Sequence, residues 1–212
     1  MNKFFSTIKF ILRPIIKFFY RAKCYGAENV PQSGAVIIAA NHLHALDPFF
    51  ISEFVNRDMR FMGKEELIRL PLIGRLFKKA GMIPVNRTMV SRECIDEALK
   101  ALDEGYAFCI FPQGTRRRGK DPRKTPIKNG VGMFAYYSKA PVVPVLIESK
   151  NMRTRLFRKT IVRFGKPITY DELNFEKGSV SEFHDSSEMI FQRICDMGSF
   201  AEKERANENN NS

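Results

Sequence analysis

Ala35-Val36-Ile37-Ile38-Ala39-Ala40-Asn41-His42-Leu43-His44-Ala45-Leu46-Asp47-Pro48 is an apolar run that ends abruptly on polar, chemistry-bearing residues. Its first six residues have the length and composition of a short buried strand. Asp47-Pro48 reads as the N-cap and first residue of a helix, so His42 falls in a strand-to-helix turn. On a continuous helix, five residues at about 100° each would put His42 and Asp47 about 140° apart, on different faces. The turn removes that obstacle. A histidine facing a carboxylate is the arrangement of a general base and its orienting acid. Taken alone, the pair is better described as a helix cap beside a turn histidine.

Outward from this stretch, strand-like runs alternate with helical ones. The strands are Ala35 to Ala40, Met59 to Met62, Met82 to Val85, Tyr106 to Phe111, Val142 to Ile147 and Thr160 to Phe164. Ile95, Ala98, Leu99 and Leu102 recur at helical spacing and are closed by Gly105. Val131, Phe134 and Ala135 mark another helix, and Ile190, Ile194, Met197 and Ala201 a last one that frays into the polar tail. The alternation predicts an α/β fold, a central sheet flanked by helices. Pro144 cannot donate to a ladder and marks its strand as an edge or a bulge. Asp171 to Ser187 is polar enough to read as a long loop.

The first 25 residues are a compositional outlier, with Lys3, Lys9, Arg13, Lys17, Arg21 and Lys23 and no acidic residue. At about 100° per residue, Phe4, Phe5, Ile8, Ile11, Leu12, Ile15, Ile16, Phe18 and Phe19 fall in one half-circle. Lys9, Arg13, Lys17 and Arg21 fall in the other, with Phe10 and Tyr20 as exceptions. Charges interrupt the segment too often for a spanning helix, which needs roughly 20 apolar residues. The pattern predicts an amphipathic helix lying on an anionic bilayer, kinked at Pro14, with basic residues contributing roughly 1 kcal/mol each. The competing reading is a helix that covers the domain's own core. The division expected is an interfacial anchor over 1–24, an α/β domain over 25–206 and a disordered polar tail over 207–212.

At 212 residues and 44% hydrophobic composition, the chain suits one α/β domain with a sizeable core. Its net charge of +12 predicts attraction to something anionic: nucleic acid, a membrane or an acidic carrier protein. Cys24, Cys94, Cys109 and Cys195 form no CxxC pair, and reduced, mostly buried thiols are expected. No signal-peptide cleavage pattern is visible, which points to the cytoplasmic side. His42-x-His44 followed by Asp47 also invites a zinc reading. The ligand count argues against a metal, since His184 is the remaining histidine and the cysteines are scattered.

Four segments recur at strand ends. Asn41-His42 through Asp47 has the spacing NHxxxxD, followed by Gly81-Met82-Ile83-Pro84-Val85-Asn86-Arg87, Phe111-Pro112-Gln113-Gly114-Thr115-Arg116 and Val142-Val143-Pro144-Val145. From about Tyr25 to Pro167 the chain resembles the glycerolipid acyltransferases, most closely the bacterial 1-acylglycerol-3-phosphate type. The resemblance implies a mixed central sheet flanked by helices, His42 and Asp47 as catalytic residues, and an acceptor phosphate held by Arg87, Gly114, Thr115 and Arg116. Lys64 resembles a further basic residue near that site. Gln113 departs from the family's third block, usually FPEGTR. Glutamine there loses a negative charge and gains a donor, which puts the acceptor preference in doubt.

The residues support the same chemistry directly. Acyl transfer to an alcohol needs a base for the hydroxyl proton, and a neutral imidazole supplies it near pH 7. The glycine of Gly114-Thr115-Arg116 lets backbone N–H groups approach a ligand, and Arg116 can fork onto a phosphate. Arg117, Arg118 and Lys120 read as a solvated basic loop. The function expected is transfer of a fatty acyl group from a thioester, acyl-CoA or acyl carrier protein, to the free hydroxyl of lysophosphatidic acid, with no bound cofactor. Peripheral attachment to the cytoplasmic face of the cell membrane follows. Another lysolipid acceptor, a catalytically silent lipid-binding relative and a basic nucleic-acid module are the alternatives. The last is disfavoured because the aromatic and basic residues concentrate on an amphipathic helix.

Overall fold

Alternate residues of β2 (Val36–Ala40) face opposite sides of the sheet, and both sides are covered. Val36, Ile38 and Ala40 pack into one apolar core, Ile37 and Ala39 into another. That is why the run is continuously hydrophobic instead of alternating. The computed structural model describes residues 3–71, 73–86 and 89–198. Arg87, Ala201 and the tail 207–212 lie outside the described residues.

The sheet has seven strands in the order β1 (Lys23–Tyr25), β7 (Thr160–Phe164), β6 (Val142–Ser149), β2, β5 (Ala107–Ile110), β3 (Met59–Lys64) and β4 (Met82–Val85). Every neighbouring pair is parallel except β6 and β7, so the sheet is mixed. One face carries α1 (Lys3–Pro14), α2 (Asp47–Phe54), α3 (Glu65–Arg69) and α4 (Ile73–Lys79). The other carries α5 (Arg92–Asp103), α6 (Gly130–Ser138) and α7 (Val180–Asp196). The α/β architecture expected from the strand pattern is present, and all six expected strands fall within two residues of their observed ends; β3 and β6 run two residues further, to Lys64 and Ser149.

Four details differ from the sequence reading. Lys23–Tyr25, read as the end of a helix, is a strand paired in parallel with β7. Pro144 is not on an edge, because β6 lies between β2 and β7. It does sit at a slip in the ladder. Between the pairs Val145–Phe164 and Val142–Ile168, Val143 and Pro144 oppose Gly165, Lys166 and Pro167, and the Pro144 carbonyl accepts from the Gly165 N–H. Asp171 to Ser187 is not a loop throughout: α7 begins at Val180, capped by Ser179 and Glu182 in a reciprocal capping box. Its Phe183, Ser186, Ser187, Ile190, Phe191 and Ile194 are buried at helical spacing. At Pro14 the helix passes into a π-helical turn, Ile15–Phe19, whose longer hydrogen bonds include Tyr20 N–H to the Ile15 carbonyl at 3.4 Å.

The N-terminal helix does cover the core. Leu12, Ile15 and Ile16 pack against the β2 side of the sheet. Its basic side is partly engaged there too. Arg13 and Lys17 lie 3.2 and 3.8 Å from the buried Glu53 carboxylate of α2, and Lys9 donates to the Val55 carbonyl. Phe10, Ile11 and Phe18 are left exposed.

Helices α6 and α7 cross with almost no space between them. The N–H of Gly132, one of the unpaired first-turn amides of α6, donates to Ser187 Oγ at 3.0 Å. A β-carbon on Gly132 would overlap Ser186 Oγ and the Phe183 carbonyl oxygen. Backbone cannot move aside as a side chain can. Gly132→Ala is therefore expected to destabilise the fold by about 1–3 kcal/mol, measured by urea denaturation. An unchanged midpoint would mean the two helices separate freely.

Candidate active site

Parallel pairing gathers the site. Strands β2, β3, β4 and β5 run in one direction, so the residues after their C-terminal ends lie along one edge of the sheet, where α/β folds place ligands. Asn41 to Asp47 follows β2, Lys64 closes β3, Asn86 follows β4, and Phe111 to Arg116 follows β5. Four segments that are distant in sequence therefore become neighbours.

The turn after β2 is held from three sides. The Asn41 side chain spans the backbone of Ile147 in β6, accepting from its N–H at 2.7 Å and donating to its carbonyl at 2.9 Å. His42 N–H donates to Gln113 Oε1 at 2.7 Å, and the His42 carbonyl accepts from Arg117 N–H at 2.7 Å. Asp47 closes the turn. Its Oδ2 lies 2.8 Å from His42 Nδ1 and accepts from the N–H groups of Leu43 and His44 at 2.6 and 2.8 Å. Asp47 is thus the first residue of α2 rather than its N-cap, which is Leu46, and its carboxylate reaches back into the turn. It is completely buried.

This geometry fixes the imidazole. A carboxylate at Nδ1 selects the tautomer that carries its proton there, leaving Nε2 as the basic nitrogen. The ring stacks on Phe111, with centroids 4.1 Å apart and planes inclined by 20°. His44 plays a different part. Its Nδ1 accepts from Leu46 N–H at 3.3 Å, and its ring packs against Tyr20 and Phe50. Burial holds its pKa below the ordinary histidine value, and the nearby Arg118 and Arg116 push the same way against the pull of Asp47.

Two cavities share His42, Met62 and Phe111. The first, about 800 Å³ including its open mouth, is within the range that holds a small ligand and is mainly apolar, with Val85, Val131, Met133 and Phe134 in its wall. The second has Lys64 and Arg116 at its polar side beside Phe49, Phe61 and Phe77. Of the residues expected at the site, His42, Lys64 and Arg116 border the second cavity, and His42 and Gly114 border the first. Lys64 also pairs with Glu66 at 2.9 Å. Gly114 has φ +63°, a left-handed conformation suited to glycine. Thr115 follows in the same loop and lines neither cavity.

Gln113 was expected to alter the charge facing the acceptor. It lines neither cavity. Its buried side chain is a strut: Oε1 takes the His42 N–H, while Nε2 donates at 2.6 Å to Thr125 Oγ1, whose hydroxyl in turn donates to the Pro122 carbonyl. Asn41 and Phe111, which stand in the motif segments without an assigned role, and Thr125, which stands outside them, are further contributors. The motif spacing could have indicated Asn41, which adjoins His42, but the other two depend on tertiary contact.

Among the described residues, no three His, Cys, Asp or Glu side chains come together as a metal set. Burial pushes the thiols away from reactive thiolate, to about 11 for Cys24 and Cys94 and about 12 for Cys195, with Cys109 higher still.

A comparison with protein families finds the Acyltransferase model matched over residues 21–148, which contains the His42–Asp47 turn and the Phe111–Arg116 loop. The chain belongs to the Acyltransferase family. Among curated relatives of this acyltransferase, the 1-acyl-sn-glycerol-3-phosphate acyltransferase of Borreliella burgdorferi is 32% identical over 139 residues, covering 65% of this chain and 54% of the relative. The enzyme of the same name from Bacillus subtilis is 30% identical over 149 residues, covering 69% and 73%. The chain thus spans about half the length of the first relative and about three quarters of the second. The crystal structure of the 1-acyl-sn-glycerophosphate acyltransferase of Thermotoga maritima superposes with a TM-score of 0.64 at 23% identity, covering 92% of this chain and 82% of that one. That likeness is one of fold.

Proposed function

We propose that this acyltransferase moves a fatty acyl group from a thioester to the free hydroxyl of lysophosphatidic acid, giving phosphatidic acid. The observation that carries the reading is the junction at His42: a base oriented by a buried carboxylate, with an apolar cavity on one side and a cavity bordered by Lys64 and Arg116 on the other. An acyl chain fits the first, and a phosphate-bearing acceptor fits the second.

In this mechanism the acceptor hydroxyl donates to His42 Nε2. As its oxygen bonds to the thioester carbonyl carbon, the proton passes to Nε2, and the Asp47 carboxylate stabilises the imidazolium. The tetrahedral intermediate then expels the thiolate, breaking the carbon–sulfur bond, and His42 returns the proton to sulfur. The acceptor's own hydroxyl is the nucleophile, so no acyl-enzyme forms. None of Cys24, Cys94, Cys109 and Cys195 borders either cavity, which supports this direct route. Arg116, Lys64, Gly114, Thr115 and Arg87 hold the acceptor phosphate. Acyl-CoA and acyl carrier protein are both anionic, and the charge of +12 would steer either.

Among the described residues, no helix is long and apolar enough to cross a membrane. With a lipid acceptor, the exposed Phe10, Ile11 and Phe18 support peripheral attachment, which we place on the cytoplasmic face with residues 1–24 as anchor, 25–206 as the acyltransferase domain and 207–212 as a polar tail.

The test is mass spectrometry of products from a panel of lysolipid acceptors with both donors. Phosphatidic acid should dominate. Arg116→Gln should raise KM for lysophosphatidate roughly tenfold to a hundredfold, the worth of a charge-assisted hydrogen bond, with a smaller effect for an uncharged acceptor. A product carrying a larger headgroup would overturn the acceptor assignment.

A further inference from the structure

Two apolar tips from distant parts of the chain meet outside the sheet. The segment joining β6 to β7, residues 150–159, contains Lys150, Arg153, Arg155, Arg158 and Lys159, and no acidic residue occurs from Ser149 to Tyr170. At its tip Leu156 and Phe157 are 54% and 63% exposed. The Phe157 N–H donates to the Phe19 carbonyl at 2.5 Å, and the Thr160 N–H to the Tyr20 carbonyl at 3.1 Å. The Phe157 ring lies 5.6 Å from Phe19, which lies 5.2 Å from the exposed Phe18. The patch is therefore continuous across two segments.

The loop is shaped at a cost. Asn151, Met152 and Phe157 all have left-handed backbones, with φ of 57, 51 and 61°. Bulky residues adopt that conformation only where the surroundings impose it, and such strain gathers at functional surfaces. Burying Phe157 against the core would have been the ordinary use of an aromatic residue. Here it is presented to solvent instead. The loop is also tied to the site: the Met152 carbonyl accepts from Gly119 N–H at 2.7 Å, in the loop that carries Arg116, and Tyr20 packs 5.7 Å from His44.

We propose that residues 150–159 form a second lipid-contacting element, docking with Phe18 and Phe19 on an anionic bilayer. Arg155-Leu156-Phe157-Arg158-Lys159 sets an aliphatic and an aromatic side chain between cations, the composition that puts apolar groups at the acyl boundary and charges at lipid phosphates. This rests on the membrane attachment proposed above.

The test uses the full chain with vesicles of phosphatidylcholine and phosphatidylglycerol, and of phosphatidylcholine alone. Leu156→Ser with Phe157→Ser should weaken binding to the mixed vesicles about tenfold or more, since both side chains leave the acyl boundary. Leu156→Ser alone, which leaves the left-handed position untouched, should weaken it severalfold. Arg155→Gln with Lys159→Gln should weaken mixed-vesicle binding and flatten its salt dependence. Activity on detergent-dispersed acceptor should be unchanged in all of them. Wild-type binding by every loop variant, while Phe10→Ser with Ile11→Ser abolishes it, would overturn the second contact and leave the anchor standing. A wild-type protein that binds neither vesicle would overturn both. Unchanged vesicle binding with a selective loss of transfer from acyl carrier protein would assign the patch to an acidic carrier and also overturn the proposal.

Discussion

His42→Ala is expected to lower acyl transfer to lysophosphatidate by roughly a hundredfold to ten-thousandfold, the usual worth of a positioned general base. In the proposed mechanism the imidazole, which borders both cavities, accepts the hydroxyl proton, and Asp47 is already saturated at Oδ2 by Leu43 N–H and His44 N–H. The turn should survive the change. Its backbone ties run through the His42 N–H and carbonyl, which alanine retains. The loss should therefore appear in kcat, with the thermal transition close to wild type. The space vacated beside Phe111 also lets free imidazole restore part of the rate. Full activity in the variant would remove His42 from the mechanism.

Asp47→Asn should act on both rate and stability. Asparagine keeps one oxygen, and with it the two turn amides and His42 Nδ1. Its NH₂ must then occupy the position of Oδ1, which is buried and without a hydrogen-bond partner. Two buried donors left unsatisfied cost about 1–3 kcal/mol. The opposite amide orientation would point donors at donors. The missing negative charge also leaves the imidazolium unsupported as it forms, so kcat should fall about a hundredfold or more while KM for the acceptor changes little. Steady-state kinetics beside urea denaturation measures the two effects separately. A kcat within a few-fold of wild type would mean that Asp47 only shapes the turn.

The fold was legible wherever burial was two-sided. β2, β5 and β6 have cores on both faces and read as unbroken apolar runs. β1 did not, because Lys23-Cys24-Tyr25 is a short edge strand with its first and last residues exposed, which leaves no hydrophobic signal. The start of α7 was overlooked for a similar reason: its first turns are polar, although Ser179 and Glu182 have capping-box spacing. At the site, the His42–Asp47 pair and the basic residues were readable as types in a pattern. Gln113 was not. Its neighbours in the chain are Pro112 and Gly114, but its bonding partners are the His42 backbone and Thr125, and no local spacing reveals that. Helical phase likewise placed Arg13 and Lys17 on one side of the N-terminal helical segment without revealing that Glu53 waits there.

The junction between the N-terminal helix and β1 consists of Tyr20, Arg21 and Ala22, and the carbonyls of Phe19 and Tyr20 are stitched to the loop before β7. A linker this short has no slack. An enzyme moored by a long tether can tumble and must search for its surface at each turnover, whereas one riveted through a sheet strand keeps its active site at a constant tilt and depth. Under the membrane attachment proposed above, the encounter with a lipid acceptor becomes a problem of sideways diffusion in two dimensions. Inserting a flexible spacer between Ala22 and Lys23 would restore the third.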